Sequence, residues 1–284
     1  MKKNQKIPLD EMTSVAVSSC SMKNIPSLRI GLGVLAALSL HISGNLYGAF
    51  VYEDTFSSNN GTLNGRTTAS GFGAWTNADG AFQVGGGQIT INSNTPVDYH
   101  AATFALPTLT GNETLSLTIT LRPSGPIFTG FGFTPNSGQY VANSGYDWIY
   151  YTGLGSPNPR IEVLTGQGST GLVYSASLTN TALNFDASLP TTFQYTYSAS
   201  TKKLTISATN GGNSSTLLNN FDASATPLSG FSNFALQFQG QALSSETNPA
   251  YVDYLKVAVV PEPSTFAMLL CGLGAMTALC RRRR

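Results

Sequence analysis

The sequence predicts an all-β protein: an antiparallel two-sheet sandwich, followed by one C-terminal transmembrane helix. Three observations carry that expectation. Apolar residues recur with period two in many short runs, and clusters of Asn, Gly, Ser and Pro separate those runs. Between the chain ends, no segment sustains an amphipathic helical period, so the strand pattern has no competitor.

The 284 residues divide on composition. Arg29 precedes an apolar stretch from Ile30 to Leu40, and small residues follow, ending Tyr47-Gly48-Ala49. A basic lead, a short apolar run and a small-residue end make the pattern of a secretory signal peptide. Residues 1–49 are therefore assigned to an N-terminal extension and signal, cut after Ala49. Asp10 and Glu11 fit a basic lead badly, whereas Met22-Lys23-Asn24 would open a signal of ordinary length, which favours Met22 as the translation start.

Residues 50–259 are assigned to the sandwich. Leu115, Leu117, Ile119 and Leu121 alternate with Ser116, Thr118 and Thr120. Phe193, Tyr195 and Tyr197 alternate with Gln194 and Thr196; Leu204, Ile206 and Ala208 with Thr205 and Ser207; Phe234, Leu236 and Phe238 with Ala235 and Gln237. This is the pattern of half-buried antiparallel strands. Turn chemistry sits between the runs at Asn59-Asn60-Gly61, Asn136-Ser137-Gly138 and Asn210-Gly211-Gly212. Roughly a dozen strands over this length imply two packed sheets.

From Phe50 to Pro263 there are six basic and twelve acidic residues, a formal charge of −6. No basic footprint for nucleic acid exists, and the acidity suits a soluble exported domain. Cys20, Cys271 and Cys280 all lie outside this body, which leaves it without a disulfide or thiolate metal site.

The C-terminus, 260–284, is a separate segment. Val260-Pro261-Glu262-Pro263-Ser264-Thr265 is followed by an uncharged run and then by Arg281, Arg282, Arg283 and Arg284. A helix over 264–280 would span roughly 25 Å, enough to cross a bilayer at its short end. The arginine block would stay cytoplasmic and set the topology. The two prolines predict that Glu262 stands in an exposed, extended segment just outside the membrane.

This order of motif, apolar span and basic end resembles the PEP-CTERM sorting signal of Gram-negative bacteria. The resemblance implies that an exosortase-type membrane protease reads and cuts the tail. It further implies anchoring in the inner membrane before processing, then delivery to the cell surface or an extracellular matrix rich in exopolysaccharide and biofilm. The body has its own resemblance. Phe50-Val51-Tyr52-Glu53-Asp54-Thr55-Phe56, then Trp75, then Phe82 to Ile91, is similar to the opening of concanavalin A-like and laminin-G-like sandwiches. The hairpin from Tyr195 to Ser207 and the closing run Ala250 to Val257 resemble their central hairpin and last strand. The resemblance implies a jelly roll whose first and last segments pair.

Catalytic chemistry is thin. His100 is the body's one histidine, with no Gly-x-Ser-x-Gly elbow to partner it, and is expected as a partly exposed strand residue. The alternating acid triplet that would put carboxylates on one sheet face for glycoside hydrolysis is missing. The expectation is a non-catalytic protein without an obligatory cofactor. A polysaccharide-active glycosidase or lyase is the alternative, and a purely structural envelope protein is the third. For binding, aromatics crowd Tyr140 to Tyr151, and Asn143, Tyr146, Asp147, Trp148 and Tyr151 are the candidate glycan contacts. Period two puts Tyr146, Trp148 and Tyr150 on one strand face and Asp147, Ile149 and Tyr151 on the other, so only one set lines the core. Asp54, Asp79 and Asp253 are candidate calcium ligands, as carboxylates suited to a hard cation.

Overall fold

In the computed structural model the described residues are 49–58, 60–77, 81–91, 99–109, 111–123, 128–135, 147–152, 160–165, 172–178, 183–186, 188–224, 231–239 and 250–262. The chain divides into two units, Met1–Leu46 and Tyr47–Arg284, and every described residue belongs to the second. The signal peptide and the helix over 264–280 lie outside the described residues. Among the described residues no helix is long and apolar enough to cross a membrane.

The strands, in chain order, are β1 (Phe50–Asp54), β2 (Gly61–Thr62), β3 (Thr76–Asn77), β4 (Phe82–Gly85), β5 (Gln88–Ile91), β6 (Tyr99–Ala105), β7 (Glu113–Pro123) and β8 (Phe128–Thr134). They continue as β9 (Asp147–Thr152), β10 (Arg160–Leu164), β11 (Leu172–Ser177), β12 (Thr191–Ser198), β13 (Lys203–Asn210), β14 (Asn213–Asp222), β15 (Asn233–Gln239) and β16 (Ala250–Pro261). One sheet has nine strands in the order β14-β13-β12-β7-β16-β5-β4-β2, with β1 also on β16. The other has seven, in the order β11-β10-β9-β8-β15-β6-β3. The pairings are antiparallel.

Local chemistry explains the hairpins. Gly85 pairs with Gln88 and Asn210 with Asn213, which leaves two-residue loops, Gly86-Gly87 and Gly211-Gly212. All four glycines have positive φ, as a turn matching the strands' twist requires. In β16 the register slips between Val252 and Tyr254, so Asp253 is a bulge residue. The bulge changes the inward parity: Val252 is buried before it, and Leu255, Val257 and Val259 after it.

The core lies between the sheets. Phe131 on β8 meets Phe193 on β12 at 5.2 Å, and Phe133 meets Tyr195 at 5.2 Å. Phe82 on β4 meets Phe238 on β15 at 5.4 Å. Such aromatic pairs add about 0.5–1.5 kcal/mol each beyond area burial. As the family resemblance implied, β1 closes onto β16, with Phe50 opposite Val259 and Asp54 opposite Leu255. The hairpin from Tyr195 to Ser207 forms within β12 and β13. Two expectations change. His100 is fully buried, because its position on β6 shares the core face with Ala102 and Phe104. The last strand runs through Pro261, two residues past the assigned end of the sandwich.

Trp75 is fully buried, packs edge-on against Phe104 at 4.8 Å and donates its indole N–H to the Tyr52 hydroxyl at 2.9 Å. Trp75→Ala should therefore cost about 3–5 kcal/mol of stability, and Tyr52→Phe, which strands the indole donor, about 1–3 kcal/mol. Denaturant unfolding of the exported domain measures both. A Tyr52→Phe loss as large as that of Trp75→Ala would contradict this division between packing and hydrogen bonding.

Candidate functional site

Most strands of a sandwich bury one face. Among the described residues, three strands bury both. On β6, His100, Ala102 and Phe104 face the core, yet Ala101 and Thr103 on the other face are also buried. On β15 the same holds for Asn233, Ala235 and Gln237 opposite Phe234, Leu236 and Phe238, and on β8 for Gly130, Gly132 and Thr134 opposite Thr129, Phe131 and Phe133. The distal face of the seven-stranded sheet, turned away from the nine-stranded one, is thus a built surface.

The register lays that face out in rows. One row runs Ala101, Gln237, Gly130, Tyr150, Glu162, Ser175 across β6, β15, β8, β9, β10 and β11. The next runs Thr103, Ala235, Gly132, Trp148, Leu164. On β6, β15 and β8 the small residues Ala101, Ala235, Gly130 and Gly132 are themselves buried, so they allow close packing against the backbone. Thr76 and Thr103 hydroxyls close one end, 2.9 Å apart. Toward the other end Arg160 Nε lies 2.8 Å from Glu162 Oε1, an ion pair without hydrogen-bond alignment.

Gln237 stands on this floor. It is 1 % exposed, and neither its amide nitrogen nor its amide oxygen has a partner among the described residues. A buried amide left so loses hydration on two sides, at about 1–3 kcal/mol for each group. Native proteins keep such groups rarely.

The structure sorts the candidate glycan residues. Ile149 and Tyr151 line the core, at 2 % and 0 % exposure, so Tyr151 is corrected from a surface contact to a core residue. Its hydroxyl meets Thr191 Oγ1 at 2.8 Å, and Asn210 Nδ2 donates to the same oxygen at 2.9 Å. Burial raises the Tyr151 pKa, and the Thr191 contact offsets part of that rise. Positions 148 and 150 fall on the distal face of β9 by pleat. The side chains of Asp147 and Trp148, and the whole of Asn143 and Tyr146, lie outside the described residues.

Of the calcium candidates, Asp54 and Asp253 lie among the described residues. Asp54 is committed to Arg66, whose Nε and Nη2 donate to its two oxygens at 2.9 and 3.1 Å, and it also accepts from the Phe56 N–H at 2.6 Å. Asp253 sits in the β16 bulge. Desolvation raises its pKa, with Gln88 and Arg122 working the other way. Asp79 lies outside the described residues, and among the described residues no three acidic, His or Cys side chains converge on a metal position.

The sorting segment is only partly free. Val260 is 40 % exposed, but Pro261 is paired with Glu113 in the last strand. Glu262, expected to be exposed, is half-buried instead, with its N–H donating to Asn112 O at 2.8 Å. Burial would raise the Glu262 pKa, but hydroxyls from Ser200, Ser198 and Thr114 outweigh it and hold the carboxyl below its usual range. This contact is therefore present above that range and is lost as pH falls through the folded-state value. Pro263, Ser264, Thr265 and Arg281 to Arg284 lie outside the described residues.

Two solved structures place the architecture in a class, the lectin-like sandwiches. The winged bean acidic lectin, solved with methyl-α-D-galactose, superposes at a TM-score of 0.50 with 12 % identity, over 75 % of this chain and 99 % of its own. Lectin I from Ulex europaeus, solved with the methyl glycoside of α-L-fucose, gives 0.50 and 11 %, over 75 % and 98 %. Both are likenesses of fold. No curated protein matches the sequence. Residues 259–284 match the PEP-CTERM protein-sorting motif, so the chain is a lectin-like β-sandwich carrying that motif at its C-terminus.

The site residue that sequence reading passed over is Gln237, which looks like an ordinary outward residue of an alternating strand. The signal that could have found it is Gly130 and Gly132 between Thr129, Phe131 and Phe133: glycine at every second position of a strand marks a face that something approaches closely. If the amide is unsatisfied, Gln237→Met removes it at nearly constant shape and should raise stability by about 1–2 kcal/mol. Thermal unfolding of the exported domain tests this, and a loss of more than about 1 kcal/mol would show that the amide has a partner.

Proposed function

We propose that this is an exported, non-catalytic surface protein that binds extracellular polysaccharide. The observation that carries the proposal is a lectin-like sandwich joined to a PEP-CTERM sorting motif, the similar sandwiches having been solved with methyl-α-D-galactose and with a fucose glycoside. Trp148 and Tyr150, at neighbouring positions of the distal face of β9, would supply ring faces for stacking. Asn143 and Tyr146, in the connection leading into β9, would complete the rim.

Binding is favoured over turnover by the charge on this face. Hydrolysis by a carboxylate pair needs two acids flanking the scissile bond. Among the described residues the distal face offers Glu162 alone, and Arg160 is paired with it.

The test is retention of the exported domain on a panel of acidic and neutral polysaccharides by affinity electrophoresis. Wild type should be retarded by at least one polymer, and Trp148→Ala should lose most of that retardation. No retardation by any polymer, with self-association of the domain, would favour a structural envelope role. Release of reducing or unsaturated ends would favour an enzyme.

We further infer that an exosortase-type protease separates the domain from the membrane helix at the Pro261-Glu262-Pro263 segment, with Arg281 to Arg284 holding the tail's orientation until then. The intact mass of surface-released protein should end before Phe266. A mass that retains Phe266 to Arg284 would overturn this.

A further inference from the structure

The sorting motif's glutamate is held by the folded domain. Thr114 Oγ1, at the start of β7, donates to Glu262 Oε1 at 3.2 Å. The Ser200 hydroxyl, in the loop between β12 and β13, donates to Oε2. These donors are 148 and 62 residues away in sequence, so the cradle exists only in the folded sandwich. The backbone is held as well, by Glu262 N to Asn112 O at 2.8 Å and by the ladder pairs Pro261–Glu113 and Val260–Thr114.

The cradle is itself braced. Glu113 accepts the N–H groups of Gly111 and Asn112 at 2.8 and 3.0 Å, which shapes the turn that presents the Asn112 carbonyl. Ala199 N donates to Glu113 O at 2.9 Å and ties the β12–β13 loop to the same turn. Ser198 and Ser200 hydroxyls lie 3.3 Å apart. Two separate parts of the chain, 111–114 and 198–200, thus converge on Glu262.

A protease that reads this motif needs its carboxylate and its backbone groups, and the domain occupies both. We propose that the sandwich docks its own sorting motif through Thr114, Ser200 and Asn112, and that the sorting protease acts only on the undocked form. The proposal rests on the sorting reading above. Undocking requires no global unfolding, since it frees only the last residues of β16. The domain therefore sets the rate at which it is cut loose.

Two measurements on the full chain test this. The first is hydrogen exchange at the Glu262 amide in detergent-solubilised protein. Wild type should show protection, and Thr114→Val with Ser200→Ala should reduce it roughly fivefold or more, as loss of charge-assisted hydrogen bonds predicts. An amide exchanging at the unstructured rate in wild type would overturn the dock. The second is pulse–chase processing in the producing cells. The same double variant leaves the motif intact and should be processed several-fold faster, whereas an unchanged rate would overturn the gating.

A locked form guards against a folding artefact. Thr114→Cys with Val260→Cys places thiols at directly paired positions, about 5 Å apart at Cβ. Its disulfide should slow processing, and reductant should restore it; equal rates in both states would again overturn the gating. Wild-type chain that is not processed at all would overturn the sorting reading and the gating with it, while the exchange result would still decide the dock.

Discussion

The fold depends on a hydrogen-bonded relay buried at the start of the domain. Trp75 donates to Tyr52, the Tyr52 hydroxyl donates to Asp54 at 3.1 Å, and Arg66 clamps Asp54 from the other side. The Arg66 and Asp54 side chains are only 9 % and 14 % exposed, so removing either partner leaves a poorly hydrated charge. Burial raises the Tyr52 pKa well above its ordinary value and keeps the hydroxyl a donor. The relay ties the two sheets together beside the direct contact of Tyr52 with Phe104 at 5.1 Å. Tyr52 and Asp54 are on β1, in the nine-stranded sheet, while Trp75 packs on Phe104 and Phe234 of the seven-stranded one. The intervening loop is sewn to both by Trp75 N to Arg66 O at 2.9 Å and Gly73 N to Ala105 O at 2.8 Å. Phe56, at φ 55, turns the chain out of β1 while its N–H is held by Asp54. That conformation is costly for a bulky residue and persists because the relay over-determines it.

With the sheets locked in this way, the distal face of the seven-stranded sheet can depart from ordinary patterning. A soluble sandwich normally covers its outer faces with residues that water satisfies, as β12 does with Thr192, Gln194 and Thr196. The middle of the other sheet instead buries Ala235, Gly130 and Gly132 on that face, with the amides of Asn233 and Gln237 beside them. The small residues leave Gln237 short of partners among the described residues, a cost that the rest of the core bears.

Legibility from sequence followed the same physics. The strands and their antiparallel pairing were readable because period two and turn chemistry are local, whereas the closure of β1 on β16 came only from the resemblance of the first and last segments to concanavalin A-like sandwiches. The face of β9 was not, because Trp148, Ile149, Tyr150 and Tyr151 are all apolar or aromatic and alternation has no polar phase to mark. Only the partner strands decide it: Phe131 and Ile161 stand opposite Ile149 and Tyr151 and carry them inward. His100 failed for a related reason, since a lone polar residue in an apolar strand was taken as outward while its neighbours Ala101 and Thr103 left both faces open. The bulge at Asp253 could not be anticipated either, because it depends on how β16 meets β7 at long range.

The tail shows how an address becomes part of a fold. From the sequence, the prolines at 261 and 263 predict an exposed, extended segment, because proline cannot donate a backbone hydrogen bond and disfavours helix before it. Yet a strand's last position has few ladder bonds left to make, and proline is tolerated there. Pro261 therefore sits opposite Glu113, and the chain remains extended long enough for Glu262 to reach Thr114 and Ser200. The two prolines do keep the segment out of a helix, and that same extended form is what permits sheet pairing. A motif kept extended by its prolines is equally fit to pair along a strand, and the hydroxyls of Thr114 at the start of β7 and Ser200 just after β12 hold its glutamate there.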